Sequence, residues 1–242
     1  MPITEHLIEL RSHLIRIFIA VLVIFLALVG MSRKLYDALS EPLVAQLPPN
    51  ATMIATDITS NFMAPLRLTL FVAAFVAMPY ILYQVWSFVA PGLYKKEKKI
   101  AIPILISSIF LFYTGIAFAY FIVLNGVLRF FISFAPDNVL PMTDIASYLS
   151  FVMKLFLVFG LTFEIPVVTL ILILTGIVSV DTLTKQRKYI IVGCFGVSAI
   201  VTPPDGISML MLAIPMWLLF ELGLLLARVL IKDKVSQDLV ET

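Results

Sequence analysis

Apolar runs close to the length of a membrane crossing recur along this chain, and nothing else in the sequence constrains its fold as strongly. An α-helical span needs about 20 apolar residues at about 1.5 Å each. Six segments qualify as spans, at roughly 13–31, 65–89, 100–124, 148–174, 189–201 and 206–227. Composition agrees: 61% of residues are hydrophobic, 13% are charged and the mean hydropathy is +1.07. A water-soluble surface cannot be built from so few charges, so the reading is an all-α integral membrane protein. The amino terminus, MPITEHLIELRSHL, carries Glu5, Glu9 and Arg11 and shows no small-residue cleavage pattern, so the first span is expected to be retained. Ahead of it, Ile3, Leu7, Leu10 and Leu14 share one helical face, as in a short interfacial helix.

Lysine and arginine set the expected orientation. Arg11, Arg16, Lys95, Lys96, Lys98, Lys99, Lys185, Arg187, Lys188, Arg228, Lys232 and Lys234 fall on one side. Only Arg33, Lys34, Arg67, Arg129 and Lys154 fall on the other. The positive-inside rule then puts both termini in the cytoplasm. The two outer loops, about 32–64 and 125–147, hold Pro42, Pro48, Pro49, Pro136 and Pro141 and are expected to form partly structured caps. The fifth span is short. Its 13 or so residues rise about 20 Å, and Thr202-Pro203-Pro204-Asp205 ends it before a sixth span that inherits the shallow turn.

Several side chains stand out chemically. Glu164, in FGLTFEIP, lies about 24 Å along span four, where a charge costs about 2.5–3.5 kcal/mol unless it faces a partner or a cavity. Pro166 is expected to bend the helix beside it. Glu221 lies at a comparable distance from the turn in span six, where an interhelical hydrogen bond is its simplest role. Asp205 is placed to cap span six. By composition, Glu97 among Lys95, Lys96, Lys98 and Lys99 reads as a solvated charge run near lipid headgroups, and Trp86 and Phe88 read as an interfacial belt.

Other classes find little support. The single cysteine, Cys194, sits in an apolar run and permits no internal disulfide. A net charge of +2 gives no reason to expect nucleic acid. No HExxH, GxSxG or GxxxxGK occurs, and His6 and His13 lie near the amino terminus without evident partners, so neither an enzyme nor a cofactor is expected. A proton-coupled solute transporter using Glu164 and Glu221 as a relay is the alternative, weakened by the lack of an internal repeat.

Four stretches together resemble the TatC family of the twin-arginine protein translocase. They are EHLIELRSHL at 5–14, MPYILYQVWSFVAPGLYKKEKK at 78–99, YLSFVMKLFLVFGLTFEIPVV at 148–168 and RKYIIVGCFGVSAIVTPPDGISMLMLAIPMWLLFELG at 187–223. The resemblance implies six transmembrane helices in a cupped bundle, in the bacterial inner membrane. It implies a receptor for twin-arginine signal peptides of folded proteins, working in an oligomeric complex with the single-span TatB and TatA subunits and drawing on the proton-motive force. It assigns Glu97, with Phe88, Arg11, Lys95 and Lys96 beside it, to the peptide site, and Glu164 to a polar point inside the membrane. It associates Pro42 with the first outer loop, and Asp205, Pro203 and Pro204 with partner docking. A glutamine frequent in the family is Met209 here, which leaves that docking cluster less polar. For Glu97 the chemistry is apt, because a carboxylate accepts the planar fork of a guanidinium bidentately.

Overall fold

The computed structural model describes residues 3–45, 47, 51–89, 98–133, 142–174, 176–202 and 205–238. Among them the chain is helical apart from turns and one isolated bridge. It divides into two compact units, residues 1–109 with 124–154, and residues 110–123 with 155–242.

In the first unit, α1 (Ile3–Leu28) is one continuous helix. The expected interfacial piece is therefore its first turns, because no Gly or Pro interrupts 3–28. A short 3-10 turn, Val29–Met31, leads into α2 (Ser32–Val44), which makes part of the expected first outer loop helical and contains Pro42 near its end. The second expected span is bent. It consists of α3 (Ser60–Val76) and α4 (Met78–Val89), set at 53° to each other. The cause is Pro79, which cannot donate back into α3 and is tolerated in the first turn of α4. Helix α1 packs on α3 and α4, and α2 packs on α3. The segments that precede α3 and α7 meet in a parallel bridge between Ile54 and Asp144.

Span three runs longer than expected: α5 (Lys98–Phe118) continues through a π-helical turn, Ala119–Leu124, into α6 (Asn125–Ser133). Span four comprises α7 (Ile145–Thr162) and α8 (Ile165–Leu174), and the break falls at Phe163–Glu164, ahead of Pro166, which has no N–H for the Thr162 carbonyl and whose ring crowds it. In the second unit, α9 (Val180–Lys185) and α10 (Arg187–Val201) precede α11 (Gly206–Asp238). Where the fifth span is expected, α10 is short, at 15 residues. The sixth is not. Its helix runs for 33 residues, and its apolar part, Gly206–Val229, covers 24 of them. Past the apolar end the chain has no Gly or Pro to stop it, and Leu230, Ile231, Lys232 and Lys234 continue the helix. By length and composition four helical segments can cross a membrane, and the bent α3–α4 pair makes a fifth.

Glycines allow close helix approach in the second unit. A Cβ on Gly115 of α5 would lie 2.7 Å from the carbonyl oxygen of Phe159, and one on Gly160 of α7 would lie 2.6 Å from the Phe112 ring. A Cβ on Gly223 of α11 would lie 2.8 Å from Cα of Pro166 in α8. Within a bilayer the hydrophobic effect does not drive helices together, so such backbone proximity supplies the dispersion contacts that do.

Candidate functional site

Two polar places stand out, one in each unit. In the first, His13 of α1 reaches across to α4. Its Nδ1 donates to Oε1 of Gln84 at 2.5 Å, and Gln84 is 3% exposed. One helical turn further along α4, Phe88 meets the His13 imidazole edge to face, with centroids 6.0 Å apart and planes at 69°. The expectation that His13 lacks a partner is thus overturned. Sequence could not reveal it, because the partner is 71 residues away. Arg11 lies two residues before His13, hence about 160° around the helix, and its side chain is exposed. The structure does not bring Arg11 onto the α4-facing side with Phe88. Lys95, Lys96 and Glu97 lie outside the described residues.

In the second unit, Glu164 occupies the break between α7 and α8. Its backbone N–H donates to the Leu161 carbonyl at 3.1 Å, and its carbonyl accepts from Val168 at 2.9 Å. Phe118 packs on both Phe159 and Phe163, each pair with centroids 5.6 Å apart. On the following side, Pro166 backs onto the cleft left by Gly223. The turn bearing Glu164 is therefore held by close helix contacts on both flanks, and Oε1 of this carboxyl is a buried oxygen.

Glu221 does not share a face with that turn. Gly223 faces α8, and Glu221, two residues earlier on α11, points about 160° away. There it accepts from Nη2 of Arg187, at the start of α10, at 2.6 Å. This is the interhelical hydrogen bond expected for it, with charge assistance added. Asp205 caps α11 as expected, its Oδ1 accepting from Ser208 N–H at 2.7 Å. Pro203 and Pro204 lie outside the described residues. Met209 is half-buried in the first turn, where its N–H donates to the Asp205 carbonyl at 3.2 Å. Cys194 is buried against Ala213 and Met216, as a small hydrophobe would be.

Residues 5–215 match the family model described as TatC, Sec-independent protein translocase protein. The chain belongs to the TatC family. A TatC of Azotobacter chroococcum is 54% identical over 223 residues, covering 92% of this chain and 88% of that protein. The TatC of Escherichia coli K12 is 50% identical over 227 residues, 94% of this chain and 88% of that one. A crystal structure of the twin arginine translocase receptor TatC superimposes with a TM-score of 0.84 at 35% identity, covering 93% of this chain and 98% of that chain. TatC relatives are named as protein translocase proteins, so this is a membrane-embedded transport component and not an enzyme.

One prominent residue of this TatC-family chain escaped the sequence reading. Asp144 caps α7: its Oδ2 accepts from the backbone N–H and the hydroxyl of Ser147, both at 2.9 Å. Its Oδ1 accepts from the Thr56 hydroxyl at 2.9 Å and the Thr56 N–H at 3.2 Å. Four donors, led by the Ser147 N–H, pull its pKa down to about 2. The local signal was available in Asp144-Ile145-Ala146-Ser147, an acid ahead of an apolar helical run. Its second task, tying the segments before α3 and α7 together through Thr56, was not.

Proposed function

We propose that this chain is the receptor subunit of a twin-arginine translocase. It binds the twin-arginine signal peptides of folded proteins and, with single-span TatA and TatB subunits in an oligomeric complex, exports those proteins using the proton-motive force. The observation that carries this reading is the family match over residues 5–215 together with the likeness to the twin arginine translocase receptor. A cupped bundle with α10 as a short fifth of six spans, and both termini in the cytoplasm of a bacterial inner membrane, is the topology that goes with it. Its support is the charge asymmetry, twelve Lys and Arg on the inner side against five outside.

In this reading Glu97 receives the paired guanidiniums, flanked by Lys95 and Lys96, with Phe88 as the aromatic neighbour and Arg11 nearby on the same side of the membrane. Glu164 is the polar point deeper in the bilayer. Asp205, Pro203, Pro204 and Met209 form the docking region at the head of α11, and Pro42 shapes the first outer loop. A solute transporter with a Glu164–Glu221 relay is disfavoured, since Glu221 is committed to Arg187 on the other side of α11. The test is photocrosslinking of a twin-arginine signal peptide to the membrane-inserted chain. Glu97→Ala is expected to abolish the crosslink while insertion persists; an undiminished crosslink would sink the assignment.

A further inference from the structure

We infer that His13 is a positioning residue for the recognition surface around Phe88, an inference that rests on the proposed receptor function. Gln84 and Phe88 lie one turn apart and so on one face of α4. His13 is the side chain of α1 that engages both, through a hydrogen bond to one and a ring contact with the other.

Oε1 of Gln84 can only accept, so Nδ1 of His13 carries the proton. With Gln84 at 3% exposure, the bond fixes the imidazole, and the imidazole limits the swing of Phe88. Phe88 itself is half-buried, with part of its ring accessible. A guanidinium stacks well only on an aromatic plane of defined orientation. Holding that plane before the peptide arrives removes an ordering cost from binding.

The experiment uses the full chain with its partner subunits in native membranes. The probes are synthetic signal peptides carrying either the arginine pair or a lysine pair in its place. His13→Asn keeps an N–H donor for Gln84 and removes the ring beside Phe88. It is expected to insert normally and to weaken the arginine-pair peptide by roughly tenfold, with no further loss when Phe88→Ala is already present. Wild-type affinity in His13→Asn, or an equal loss in the Phe88→Ala background, would overturn the positioning role. A wild-type chain that binds both peptides alike overturns the receptor reading itself, and this inference with it.

Discussion

Arg187 donates to Glu221 across 2.6 Å, joining the first residue of α10 to the middle of α11. Measured from the helix ends at Val201 and Gly206, Arg187 lies about 21 Å back along α10 and Glu221 about 22 Å forward along α11, so the pair is in register between the two helices. The shortness of α10 is what puts its terminal arginine level with an acid inside α11.

The arginine side chain is 40% exposed and the glutamate 19%, so solvent weakens the pair. Glu221→Ala is expected to destabilise the detergent-solubilised chain by about 1–2 kcal/mol, less than a fully buried pair would give. The exchanged pair Arg187→Glu with Glu221→Arg should recover part of the loss. A double-mutant cycle with no coupling between the two positions would show that they act independently.

Glycine substitutions should separate close helix contacts from open surface. Gly223→Ala places a methyl 2.8 Å from the Pro166 backbone, which cannot rotate aside. A loss of about 1–3 kcal/mol is expected. Gly193→Ala and Gly196→Ala in α10 meet nothing within 4 Å and should be neutral or gain up to about 1 kcal/mol from helix propensity. Thermal aggregation midpoints of the purified variants check both, and equal behaviour of Gly223→Ala and Gly193→Ala would refute the packing account.

Asp144 gives a pH dependence whose sign is fixed. Its folded pKa, about 2, lies below the usual carboxylate value, so its contribution is complete above that usual value and fades as pH falls toward 2. Acidification over that window should loosen the 51–59 segment, read as faster proteolysis there. Asp144→Ala should show the loosened pattern already at neutral pH and lose the acid response.

Glu164→Gln keeps the size and planar shape of the side chain and replaces its titratable oxygen with an amide nitrogen. Under the proposed function it should insert and assemble normally yet slow export of a twin-arginine substrate by tenfold or more, on the order of 1.4 kcal/mol. Export at the wild-type rate would make the residue structural. Loss of accumulated protein in both Glu164→Gln and Glu164→Ala would assign it to folding.

Much of this was legible in the chain. Apolar run length located the four long helices and the bent pair that can cross a membrane, because transfer of each residue into hydrocarbon depends on its own side chain. The Asp205 cap and the break before Pro166 followed from local backbone rules involving only near neighbours. The 53° bend was equally local, yet the proline that causes it sits inside an apolar run that reads as one span.

The sequence by itself determined that this chain lives in a bilayer, is built from helices and carries the TatC motifs in order. Only the tertiary structure decided which polar groups meet: His13 with Gln84, Arg187 with Glu221, Thr56 with Asp144. It also decided that Glu221 pairs with Arg187 on the side of α11 away from Gly223 and Pro166. The physical reason is range. Propensity, capping and hydropathy act within a turn or two, whereas these partners are 71, 34 and 88 residues apart and are chosen by helix packing.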